Sequence, residues 1–153
     1  LAFGHVGMAQ IVEQSGRTLT ASPLLSTAVL GVTAISLAGN EEQKTELLAG
    51  IAAGEITTAL AVDEKIHHSP TQTAMTAEKK GDSYLLSGVK RYVVDGSTAD
   101  KLIVVTRTAG KPGDMKGISL FIVDRTAEGV SVERTQMVDG RNAAIISFTN
   151  EEN

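Results

Sequence analysis

Two short stretches gather side chains that could move protons or hold a ligand. One is Ala59-Leu60-Ala61-Val62-Asp63-Glu64, which runs into a loop containing His67, His68, Ser69 and Pro70. The other is Lys90-Arg91-Tyr92-Val93-Val94-Asp95-Gly96. Asp63 and Glu64 are the residue types of a general acid–base pair. Neighbours on a strand face opposite sides, however, so a capped strand end is the plainer expectation. His67 and His68 meet the same difficulty as metal ligands. On extended chain their rings point apart, whereas a metal needs them to converge, so a solvated loop is expected. Taken alone, each stretch reads as a strand ending in a polar turn.

Other catalytic signatures are missing. The sequence holds no Gly-x-x-x-x-Gly-Lys phosphate loop, no Gly-x-Gly-x-x-Gly after a strand and no Gly-x-Ser-x-Gly elbow. The absence of cysteine excludes a disulfide framework, a thiolate zinc site and a cysteine nucleophile, and it fits a reducing compartment. Fourteen basic and 18 acidic residues give a net charge of −4 and a pI near 5.4. That is the wrong sign for a nucleic-acid-binding surface.

The elements that must position these stretches fall into two halves. Residues 1–54 carry few charges: Arg17, Lys44, Glu13, Glu41, Glu42 and Glu46. They read as helices. Val6 to Gln14 suggests one. Ser22-Pro23 caps a second, with Gly39 at its C-terminal end. Asn40 caps a third, with Gln43 at the capping-box position and Gly54 ending it. The second helix, from Leu24 to Ala38, is apolar nearly all round and is expected to be buried on several sides. It is too short to span a bilayer and is interrupted by Ser26, Thr27, Thr33 and Ser36, so no membrane insertion is expected. No basic segment precedes an apolar run near Leu1, so no signal peptide and a cytoplasmic location are expected.

From Ile56 onward the pattern becomes short strands between turns. Strands are expected at Ile56–Val62, Thr73–Lys79, Ser83–Ser87, Lys90–Val94, Leu102–Arg107, Ile118–Val123, Val130–Arg134 and Ala144–Phe148, with a tight hairpin at Gly81-Asp82. The fold class is therefore α+β, N-terminal helices followed by an all-β, barrel-like domain. The helices carry more apolar surface than they can hide among themselves, so they either pack on the barrel or need a further segment or partner.

The order of segments resembles the acyl-CoA dehydrogenase family. Gly39-Asn40-Glu41-Glu42-Gln43-Lys44 is followed by Leu47-Leu48-Ala49-Gly50-Ile51-Ala52-Ala53-Gly54-Glu55, as in that family's helix leading into its middle β-domain. The likeness continues through Ala77–Gly88 and Lys90, Lys116–Val123 and Gly129–Val132. It implies the end of an N-terminal helical domain at 1–55, the middle β-barrel domain at 56–150 and a tail at 151–153, with the C-terminal helical domain absent. It also implies FAD as cofactor, an acyl-CoA as substrate, and a homo-oligomer formed through the apolar helices. In the family a hydride passes from the acyl β-carbon to flavin N5, and the catalytic glutamate lies in the C-terminal domain. No residue here inherits that role, Glu64 included, and the chain alone is expected to be inactive.

The resemblance carries over to the two stretches residue by residue. The family's apolar-x-apolar-Thr-Glu-Pro strand end falls on Leu60, Ala61, Val62, Asp63, Glu64 and Lys65, and the serine of its Gly-Ser-Asp turn falls on Ser69. Its Trp-Ile-Thr/Ser-Asn segment falls on Tyr92, Val93, Val94 and Asp95. Leu60, Val62, Asp63, Tyr92, Val93 and Val94 are thus the implied cofactor-binding residues, and Ser69 the implied substrate contact. Asp63 stands for a threonine, Lys65 for a proline, Pro70 for an aspartate and Val94 for a hydroxyl residue. Two hydroxyl contacts to a flavin are gone, and an ionised Asp63 beside a reduced, anionic flavin needs a partner. Two other readings share these segments: a non-catalytic barrel domain that acts in association, and a related flavoprotein oxidase or monooxygenase.

Overall fold

The computed structural model describes residues 4–149. The expected tail at 151–153 lies outside them. Helix α1 spans Gly4–Arg17. A π-helical stretch, Leu24–Gly31, continues directly into α2, Val32–Ala38. Helix α3 spans Glu41–Ala53. Its start follows the sequence closely: the Asn40 side chain accepts from the Gln43 N–H at 2.8 Å, and the Gln43 side chain accepts from the Asn40 N–H at 3.0 Å. Gly54 ends it in the left-handed conformation at φ 78°. Gly39 differs. It lies at the end of α2, but with an extended backbone of φ −71° and ψ 148°. What demands glycine there is space, because a methyl group would sit 2.6 Å from the Ile35 carbonyl oxygen.

Seven strands follow: β1 (Thr58–Ala61), β2 (Thr76–Lys80), β3 (Ser83–Val94), β4 (Lys101–Arg107), β5 (Ile118–Asp124), β6 (Val130–Gln136) and β7 (Asn142–Phe148). They form a curled, mixed sheet in the order β1-β4-β2-β3-β7-β6, with β5 also on β4. β1 and β4 are parallel, and β4–β5, β2–β3, β3–β7 and β6–β7 are antiparallel. The α+β expectation holds, although two expected strands, Ser83–Ser87 and Lys90–Val94, are one. β3 pairs with β2 through Ser87 and with β7 from Gly88 onward, so it passes from one half of the sheet to the other. Gly88 marks the passage at φ 148°, where a side chain would press on Met75. The expected strand start at Thr73 is also displaced to Thr76. Backbone groups of residues 73–75 are taken instead by Glu64 and Arg107.

Two apolar clusters hold the molecule together. The inner one joins the two halves of the curl through Ala59, Ala61, Val93, Leu102, Val104, Ala144, Ile146 and Phe148. The other joins helices to sheet through Ile35, Leu47 and Ile103, with Leu60 and Ile122 packed against it. β4 is buried on both sides, which explains its unbroken apolar run Leu102–Val105. The helix–sheet contact is close at Gly31, where any side chain would collide with Thr58. Thr27 seals the joint, its hydroxyl donating to the Thr58 carbonyl and accepting the Thr58 N–H. The Leu24–Ala38 segment is less enclosed than its composition suggests, since Leu37 is 82% exposed. Val6 and Leu19 are likewise open to solvent.

Candidate functional site

The two stretches with chemical potential meet. β1 leaves the sheet after Ala61, and the Asp63 carbonyl accepts the Arg91 N–H at 2.7 Å. Arg91 and Tyr92 form a bulge in β3, where the pairing with β7 shifts register between Lys90 and Val93. Tyr92 sits on that bulge at φ 54°, unusual for an aromatic residue, with its side chain substantially exposed. Asp95 also has a positive φ, and its carboxylate accepts the Ser26 hydroxyl from the π-helical stretch at 2.6 Å.

Beneath the junction lies an ion pair that the sequence reading missed. Lys90 is wholly buried; its Nζ donates to Glu64 Oε1 at 2.7 Å and to the Val62 carbonyl at 2.9 Å. Glu64 also accepts the N–H groups of Ala74 and Met75, at 2.9 and 3.0 Å. Burial acts against the charge on Glu64, but the bonds from Lys90, Met75 and Ala74 outweigh it and hold the carboxyl below its ordinary range. Burial pushes the Lys90 ammonium down, and the nearby Glu64 and Asp63 charges only partly offset it. The signal was present in the sequence. Lys90 is in phase with Leu86, which packs on the inner cluster, and an inward lysine requires a partner.

Asp63 turns away from Glu64, as neighbours on extended chain do. It accepts His68 Nδ1 at 2.9 Å and the Ser69 N–H at 3.0 Å. Its charge therefore has a partner, and Ser69 is drawn to the strand end. His68 remains mostly exposed, while His67 lines a neighbouring cavity of about 10 Å³ with Val62, Asp63, Ser69 and Thr73, room for roughly one water. No cluster of three or more metal-ligating side chains occurs among the described residues. Arg107, also buried, donates to carbonyls of Thr71 and Thr73 on one side and of Ala109, Asp114 and Lys116 on the other. It ties the loop after Ser69 to the β4–β5 loop.

The implied site residues divide by direction. Val62, Asp63, Ser69 and Tyr92 lie around the junction, and Val94 is half-buried beside it. Val93 is 2% exposed within the inner cluster, and Leu60 packs on the helix–sheet cluster. The Val93 side chain is therefore withdrawn from any ligand, and the half-buried Leu60 side chain is turned toward the helices.

A family model described as the acyl-CoA dehydrogenase middle domain matches residues 45–150. The chain belongs to the acyl-CoA dehydrogenase family. The cyclohex-1-ene-1-carbonyl-CoA dehydrogenase of Geobacter metallireducens is 34% identical over 149 residues, 95% of this chain and 39% of that protein. Among solved structures, the ChsE4-ChsE5 complex from Mycobacterium tuberculosis covers 96% of the chain and 38% of its own, with a TM-score of 0.82 at 22% identity. A glutaryl-CoA dehydrogenase from Mycobacterium smegmatis in complex with FADH2 covers 78% of the chain and 31% of its own, with a TM-score of 0.68 at 24% identity. At those identities the two structures speak for the fold alone. The chain spans between 16% and 39% of the curated acyl-CoA dehydrogenases FadE10 and the Geobacter enzyme.

Proposed function

We propose that the chain is the flavin-facing middle portion of a FAD-dependent acyl-CoA dehydrogenase, serving the α,β-dehydrogenation of an acyl-CoA thioester in the cytoplasm. Residues 1–55 are then the end of a helical domain, residues 56–150 the middle domain and residues 151–153 a tail. One observation carries the reading: the Arg91 N–H to Asp63 carbonyl bond, which joins the two strand ends that the resemblance assigns to the flavin. The residues present suit such a ring. Tyr92 offers an exposed aromatic face. His68 and the Ser69 N–H answer the Asp63 charge, so it does not stand bare against a reduced flavin. With no hydroxyl at 63 or 94, polar contacts fall to backbone N–H groups.

In this reading Val62, Asp63, Tyr92 and Val94 border the ring, Leu60 and Val93 lend their backbone, and Ser69 lies toward the thioester. When bound, FAD would accept the hydride, and the protein's part is orientation and electrostatics. On this reading the chain alone turns over no substrate, since no residue of it matches the family's catalytic glutamate; the two carboxylates at the strand end hold structural bonds instead, Asp63 with His68 and Ser69, Glu64 with Lys90 and two N–H groups. The exposed Leu37, Val6 and Leu19 support a second element of the proposal, self-association through the helices.

The test is a titration of the chain with FAD, followed by the visible flavin band and by fluorescence anisotropy. The chain should bind saturably, and Tyr92→Ala should weaken binding about tenfold, or ~1.4 kcal/mol. Failure of the unaltered chain to bind, or equal binding by the variant, contradicts the proposal.

A further inference from the structure

We propose that a cavity at the helix–sheet joint binds a small organic cation, a primary ammonium or guanidinium on a short apolar stem, with Asp95 as its counter-ion. The site does not depend on the flavin reading. The cavity has a volume of about 310 Å³ and is walled by the start of the π-helical stretch, the start of β1 and the turn after β3. That is the small end of ordinary organic ligand sites. Asp95 stands in its wall on a fixed backbone, at φ 57°. Its N–H donates to the Asn142 carbonyl at 2.8 Å, and its carbonyl accepts the N–H groups of Thr98 and Ala99 at 3.1 and 3.0 Å. One carboxylate oxygen accepts the Ser26 hydroxyl at 2.6 Å. The other accepts no hydrogen bond, and no lysine, arginine or histidine pairs with the group among the described residues.

The rest of the wall sets the chemistry of the ligand. The Thr57 hydroxyl donates to Asp100 at 2.7 Å, and the Thr98 hydroxyl accepts from the Asn142 side chain at 2.6 Å. The Asn142 side-chain oxygen is taken by Ser97, and the Ser22 hydroxyl oxygen by the Leu24 N–H. The Thr58 hydroxyl lies buried against Gly31 without a partner. Ala21, Pro23 and Ala99 make up the apolar remainder. The cavity thus presents one unanswered negative charge beside apolar surface, which attracts a cationic donor and repels an anion. The fold does not require that charge. A carboxamide at 95 would accept the Ser26 hydroxyl through the same oxygen without leaving a half-buried anion unpaired.

The test titrates the full chain with n-butylammonium chloride and, separately, with n-butanol, which has nearly the same shape and no charge, followed by backbone amide chemical shifts. The ammonium should give saturable shifts at Thr58, Asp95, Thr98, Ala99 and Asn142 and bind at least about tenfold more tightly than the alcohol. Asp95→Asn, which keeps the acceptor for Ser26, should weaken the ammonium by about tenfold or more and leave the alcohol unchanged. A third titration, with Nα-acetyl-lysine N-methylamide, separates the two sources of such a cation. Its binding at the same amides points to a lysine side chain of a polypeptide, and its exclusion points to a free amine. Equal affinity for ammonium and alcohol, equal ammonium binding by Asp95→Asn, or shifts as large at the exposed Asp82 and Glu128 as in the cavity overturns the proposal. If the variant does not fold, the comparison of ammonium with alcohol on the unaltered chain decides alone.

Discussion

At the scale of single residues the junction is governed by who answers each charge. Glu64 binds its proton less tightly folded than unfolded, because Lys90 and two N–H groups favour the carboxylate. Its contribution to stability is therefore complete above the unfolded glutamate pKa of about 4.3 and is lost as pH falls through the lower folded value. Asp100 is held low in the same direction by the Thr57 hydroxyl and N–H, and acts in the same acid window. Urea unfolding from pH 7 down to pH 2 should show stability falling below about pH 4. Glu64→Gln should flatten that fall, and an acid limb as steep in the variant would show that Glu64 does not contribute. Lys90 and Glu64 were individually visible in the sequence, yet their pairing spans 26 residues and depends on where β1 leaves the sheet. Nothing local announces that.

At the scale of elements, β3 decides the architecture. One strand serves both halves of the curl, and its turning point is Gly88. Gly88→Ala forces a side chain into φ 148° and to within 2.7 Å of Met75 Cγ. It should destabilise by more than about 1 kcal/mol in denaturant titration, and a neutral effect would mean the bend does not need glycine. Local chemistry made several elements legible in advance. The Asn40–Gln43 capping box, the Gly54 terminus and the Gly81-Asp82 hairpin each depend on contacts within a few residues. The same local logic divided β3 in two, because a glycine inside a strand looks like its end. The parallel pairing of β1 with β4 was not legible, since it joins segments some 43 residues apart whose register depends on the whole sheet. Likewise, Leu60 and Val93 were assigned to the site by their neighbours in sequence, while the pleat turns them into the two cores.

At the scale of the whole molecule, two cores share one strand. β4 faces the inner cluster with Leu102 and Val104 and the helices with Ile103, so the helices are part of the fold. Their outer surface is different. Leu37, Val6 and Leu19 expose apolar side chains on the helical side. We expect the purified chain to self-associate in sedimentation velocity, and Leu37→Glu with Val6→Lys to shift it toward monomer. A monomer at high concentration, or an unchanged distribution in the variant, would contradict association through these side chains.

We propose that the joined ends of β1 and β3 face a flavin. The most direct measurement is backbone amide chemical-shift mapping of the full chain with FAD at concentrations high enough to report weak binding. Shifts concentrated at Leu60, Val62, Asp63, Ser69, Tyr92, Val93 and Val94, with β5 and β6 undisturbed, are the predicted result. No shifts, or shifts confined to surfaces away from that junction, would contradict it.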